Sequence, residues 1–267
     1  MTADLLRLRD RLSDRDQAVL SSLDTHRLLT TRQLQRLHFT QGHTGTASAT
    51  RATTRVLGRL LGMRLVDRLD RRIGGVRRGS AGYVWQLGPV GERLQRLGRS
   101  DKRRRYVEPG DRYLAHSLAV SELAVRLQEA SAAGRFELSR LDTEPDCWRS
   151  FLGQHAQTEW LKPDLFALTA SGDFEDHWFI EADLATEHPP VIVRKCLSYQ
   201  RYAATGAHQA AHGLYPLVLW VVPDHPRQAA LQAAIKAAAN LQPDLFKVVV
   251  QRDFLDAIAA DLDVDPP

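Results

Sequence analysis

The chain has 267 residues, enough for one large or two modest domains, and 43% of them are apolar, so real cores can form. No apolar run is long enough to span a bilayer as a helix and the first residues lack a secretory apolar stretch, so no membrane association is expected, and the low cysteine content makes a reducing cytoplasm the expected compartment. The formal charge of +4 is divided unequally: residues 1–105 hold 23 Lys+Arg against 9 Asp+Glu, and residues 106–267 hold 13 against 23. A basic half followed by an acidic half points to a polyanionic partner for the first, and duplex DNA is the natural choice. Cys147 and Cys196 are the only cysteines, too few for a disulfide framework or a cysteine zinc site; they read as buried structural thiols.

Along the first half, Ser13 is a good N-cap, with Asp14 and Asp16 in the first helical turn behind it and Ala18, Val19, Leu20 and Leu23 facing inward. A second helix starts at Thr30 or Thr31 and carries Leu34 and Leu37. A third spans roughly residues 48–61, with Val56, Leu57, Leu60 and Leu61 on one side and Arg51, Arg55 and Arg59 at i, i+4 and i+8 on another. Short strands at 65–69 and 83–87 flank a loop rich in Gly and Arg, and a helix over 89–97 follows. Three helices and then a hairpin is winged helix-turn-helix order. The third helix would read DNA, and Arg71, Arg72, Arg77 and Arg78 would form a basic wing. An arginine stripe alone is usually just a solvated face; here helix position, basic loop and domain charge agree. Residues 1–105 are therefore read as a DNA-binding domain ending in the basic linker 100–105.

Residues 106–267 read as a second, α/β domain. A helix over 113–133 and a strand over 136–141 precede two apolar, strand-length runs, 162–168 and 178–184, joined by the turn residues Ser171, Gly172 and Asp173. A helix over 190–204, a fully apolar strand over 216–222 suited to a sheet interior, an Ala-rich helix over 229–239, a strand over 246–250 and a last helix from Phe254 complete the pattern. Alternation puts Glu181 and Asp183 on one strand face, where Asp164 could meet them. Clustered carboxylates repel and lose hydration, so they need a cation, and Mg²⁺ or Mn²⁺ suits oxygen ligands. His177, His188, His155, His208 and His212 show no tight zinc spacing, and no phosphate-loop motif is present.

Pro163-Asp164 on one strand with Glu181-Ala182-Asp183 on the next resembles the PD-(D/E)xK nuclease superfamily. The winged-helix start, His116 to Glu122, Glu181 to Glu187, and Lys195, Tyr199 and Tyr202 on the following helix make the wider chain similar to the replication-relaxation family of plasmids and mobile elements. The resemblance implies a mixed α/β chain with a winged helix and a nuclease-like domain, and a role in replication, DNA relaxation or mobilisation. It also implies a metal-dependent endonuclease site with Asp164, Glu181 and Asp183 as ligands. The nuclease pattern expects lysine where Asp183 stands; Lys195, on the next helix, is the candidate replacement, and Glu122 is a further acidic candidate near the metal. The alternative is a non-catalytic DNA-binding factor whose degenerate second domain serves dimerisation or partner docking. Expected partners are double-stranded DNA, a second copy of the chain, and replication or mobilisation proteins.

Overall fold

A computed structural model describes residues 2–40, 42, 45–73, 82–99, 110–153, 156–172 and 174–261. The basic linker 100–105, Arg77 and Arg78 lie outside the described residues. The chain is a mixture of helices and sheets and divides into two compact units, Met1–Val125 and Arg126–Pro267. Among the described residues no helix is long and apolar enough to cross a membrane.

The first unit contains α1 (Thr2–Asp10), α2 (Asp14–His26), β1 (Leu29–Thr30), α3 (Thr31–His38), α4 (Thr46–Gly62), β2 (Val66–Ile73), β3 (Gly82–Leu87) and α5 (Pro89–Gln95). Two helix starts follow from local chemistry. Ser13 Oγ accepts from Asp16 N while an Asp16 carboxylate oxygen accepts from Ser13 N, and Thr30 with Gln33 does the same for α3. The strands form one antiparallel sheet in the order β1-β3-β2. Val19, Leu20, Leu23, Leu34, Leu57, Leu60 and Trp85 share the core beneath it. Gly91 lets α5 sit directly on the Leu65 backbone, because a Cβ there would lie 2.0 Å from the Leu65 carbonyl oxygen.

The division between the units falls inside α6 (Asp111–Ala132). Beyond it the second unit contains β4 (Glu137–Thr143), β5 (Arg149–Leu152), β6 (Thr158–Leu161), β7 (Leu165–Ser171), β8 (Phe174–Ala182), α7 (Pro189–Ala204), α8 (Ala207–His212), β9 (Leu217–Val222), α9 (His225–Ala237), β10 (Phe246–Val250) and α10 (Phe254–Asp261). The main sheet runs β10-β9-β8-β7-β4. β7 and β8 form the expected hairpin, from Leu165 opposite Ile180 to Ser171 opposite Phe174, and Gly172 takes φ +58° in its turn. The apolar strand β9 lies inside the sheet, parallel to β8 and β10. Phe166, Phe179, Val218, Trp220, Val222, Val248 and Val250 share one core with Ile192, Cys196 and Tyr199 of α7 and Leu231 and Ile235 of α9. Among the described residues β5 and β6 pair only with each other.

Candidate functional site

Asp164 stands just before β7, and Glu181 is the next-to-last residue of β8; both are buried. Asp164 Oδ2 accepts a 2.8 Å hydrogen bond from the Ala182 backbone N–H, which fastens the two strand ends together. The apolar positions of α7 dock it on the sheet, and the i, i+4 spacing then sends Lys195 and Tyr199 from one helix face to Glu181. Lys195 Nζ donates to Glu181 Oε2 at 2.5 Å and lies 4.0 Å from Asp164 Oδ1. The Tyr199 hydroxyl donates to the other Glu181 oxygen. Tyr202, one turn further on, packs its ring against Phe151 and Phe179 instead.

Electrostatics follow from this burial. Desolvation pushes the Glu181 carboxyl up to about 8; Lys195 opposes the rise and Asp164 adds to it. Burial alone would lower the Lys195 ammonium, but Glu181 and then Asp164 outweigh it and hold it above its usual value. Burial first, and Glu181 second, keep the Tyr199 hydroxyl protonated. The site therefore holds two buried carboxyl groups sharing one ammonium, with a neutral phenol as an added donor.

Asp183 is not brought into this group. β8 ends at Ala182, and although Asp183 N still donates to Val221 O, its carboxylate turns to α9. Arg227 grips it with two bonds, Nε at 2.6 Å and Nη2 at 2.9 Å, and also donates to the Glu187 carbonyl at 2.7 Å. The hydrogen bonds that Arg227 donates to Asp183 hold its guanidinium above its ordinary value. Nothing in the local sequence around Asp183 points to Arg227, which lies 44 residues further along the chain. Glu122 is likewise occupied, within the first unit, by Arg36 at 2.6 Å and Gln33 at 3.1 Å.

Asp164, Glu181 and Lys195 thus meet, and Asp183 does not. Among the described residues no group of three or more His, Cys, Asp or Glu side chains is arranged to hold a metal ion. Two carboxylates directed at one ammonium still fit Mg²⁺ or Mn²⁺, which keep several waters and take one or two carboxylates with substrate oxygens completing the shell. Both thiols are buried and free; burial pushes Cys196 up to about 12 and raises Cys147 further, so neither is a ready nucleophile.

In the first unit Arg51 and Arg55 of α4 face solvent. Arg59 does not share their freedom: its guanidinium lies 2.5 Å from the buried Asp16 carboxylate and ties α4 to the start of α2. The backbone of Arg71 and Arg72 belongs to β2.

Comparison with curated proteins and with solved structures returned no match. A family model described as replication-relaxation matches residues 20–218, a span that begins within α2, ends in β9 and includes α4, Asp164, Glu181, Asp183 and Lys195. With three quarters of its length inside that match, the chain belongs to the replication-relaxation family.

Proposed function

We propose that this protein, whose family role lies in the replication or relaxation of plasmid and mobile-element DNA, binds duplex DNA through its first unit and cleaves a strand in its second. The first unit is read as a winged helix: α2, α3 and α4 precede an antiparallel hairpin, and α4 offers Arg51 and Arg55 to phosphates. The second is read as a nuclease-like domain. One observation carries the catalytic part: Lys195 Nζ stands 2.5 Å from Glu181 and 4.0 Å from Asp164, so a lysine on α7 supplies the cation that the strand position of Asp183 lacks.

In this reading Asp164 and Glu181 would hold Mg²⁺ or Mn²⁺. The ion, when bound, supplies charge neutralisation at the scissile phosphate and an activated water. Lys195 offsets the negative charge that develops on the phosphate. Tyr199 fixes the Glu181 carboxylate by holding one of its oxygens. Arg227 sets the connection between β8 and α7 by tying Asp183 and the Glu187 carbonyl together.

A second reading, a non-catalytic DNA-binding factor, draws on a specific feature: both Glu181 oxygens already have donors, and Asp183 is clamped. The test is incubation of the full chain with supercoiled plasmid, with and without Mg²⁺ or Mn²⁺. Duplex binding is measured in parallel across a salt series. Metal-dependent nicking lost in Asp164→Ala supports cleavage; retained binding without nicking under any metal selects the second reading. Arg51→Gln with Arg55→Gln should flatten the slope of log affinity against log salt by about 1.8, two phosphate contacts' worth. An unchanged slope removes α4 from the interface.

A further inference from the structure

Three histidines of the second unit meet outside the site just described. His177 on β8 has its Nε2 2.9 Å from a Glu175 carboxylate oxygen and its Nδ1 2.9 Å from His208 Nε2 on α8. His212, one turn after His208, brings its ring within 4.5 Å of the His208 ring and 5.2 Å of the His177 ring, centroid to centroid. Of the residues in α8 only His208 is buried, and the helix is bracketed by Gly206 at φ +67° and Gly213 at φ +80°, both left-handed. A six-residue helix between two such glycines is held chiefly by that one buried side chain, with Gln209 Nε2 donating to the Ala203 carbonyl at 3.2 Å as a second tie.

The hydrogen bonds fix the proton positions. A carboxylate can only accept, so His177 donates from Nε2 to Glu175, and its Nδ1 is left as an acceptor. His208 must then donate from Nε2. An added proton on His177 Nδ1 would set two N–H groups against each other. An added proton on His208 would place a cation among Phe166, Phe179 and Tyr215, whose ring centroids lie 6.0, 6.1 and 6.3 Å from its own. Arg140 of β4 and Arg149 of β5 approach the same Phe166 ring, at 5.5 and 5.0 Å, and repel that cation, their charge offset in part by Asp142, which lies 2.7 Å from Arg140 and 3.8 Å from Arg149; the Glu175 carboxylate is already committed to His177.

We propose that the His177–His208–His212 cluster is a proton-sensitive latch: neutral His208 pins α8 to the sheet, and its protonation releases α8 together with the end of α7 that leads into it. Burial, with His212, His177, Arg149 and Arg140 adding to it, lowers His208 to about 4. A lowered histidine pKa means that the docked helix binds a proton less readily than the released one. Docking is therefore complete above the ordinary value of 6.5 and is lost as pH falls from there towards 4.

The test is amide exchange by NMR on the full chain, read at Ala210 and Gly213, whose N–H groups bond to Gly206 and Gln209 carbonyls. After correction for intrinsic rates, protection should fall by about 100-fold between pH 7.5 and pH 4, the difference expected from a docked value near 4 and a free value near 6.5. Far-UV circular dichroism should stay near its neutral-pH signal over that interval. His208→Phe, which keeps a ring without the proton site, should make protection independent of pH. Flat protection in the natural protein would overturn the latch. So would the same pH slope in His208→Phe, or loss of helix throughout the chain over the same interval.

Discussion

Replacing Lys195 with Met separates its charge from its packing, because the apolar stem is kept and only the ammonium is lost. The ammonium is the cation shared by Glu181 and Asp164. Removing one member of a buried pair costs about 3–5 kcal/mol, but the Lys195 side chain is 34% exposed, and water screening brings the expectation to about 2 kcal/mol. The loss must depend on pH. Glu181 is raised from 4.5 to about 8, so its burial is fully tolerated below pH 4.5 and becomes destabilising as pH rises through 8. At pH 9 the natural protein holds Glu181 ionised against Lys195, whereas the variant, having lost the group that opposes the rise, must either retain the proton or bury an unpaired charge, and the full deficit of about 2 kcal/mol appears. At pH 5.5 Glu181 carries a proton, and the deficit shrinks to about 1 kcal/mol, one lost hydrogen bond. Urea denaturation followed by tryptophan fluorescence measures both, since Trp148, Trp160, Trp178 and Trp220 all lie in the second unit. A deficit equal at the two pH values, or absent at pH 9, would refute the assignment of Lys195 as the partner of a buried carboxylate.

The remaining outcomes concern the scaffold. Arg227→Leu strands the buried Asp183 carboxylate and should destabilise the second unit by about 3–5 kcal/mol in the same denaturation assay, with Arg227→Lys recovering only part because lysine lacks the two-pronged grip. Gly91→Ala pushes a methyl to 2.0 Å from a backbone oxygen and should lower the thermal midpoint of the first unit, a loss of about 3 kcal/mol; Gly58→Ala, with open space around it, should gain up to about 1 kcal/mol.

What could be read from the sequence was what local chemistry decides. Ser13 and Thr30 announce helix starts because a side-chain oxygen and a residue three places on complete the cap by themselves. The run at 217–222 has no polar face, so only a sheet interior could accept it. The β5–β6 hairpin leaves no signal in the sequence because its strands are four residues each and mix polar with apolar positions, so no period forms. The six-residue α8 is too short to show a period.

The carboxylate site divides along the same line. Asp164 and Glu181 lie beside each other because a hairpin fixes its register through the turn, and Lys195 with Tyr199 share a face by helical spacing alone. Asp183 departs from the alternation because alternation holds only while the strand lasts. At Ala182 the strand ends, Ala185 takes φ +57°, and the side chain is free to answer a guanidinium on α9. That choice has a chemical consequence. A carboxylate committed to Arg227 is no longer available to a cation near Glu181, so Lys195 is left as the group that compensates two buried acids. The arrangement makes the lysine, rather than a third carboxylate, the residue on which both readings of the second unit turn. Cleavage needs it to release Glu181 towards an ion, whereas a purely binding protein needs it to stay where it is.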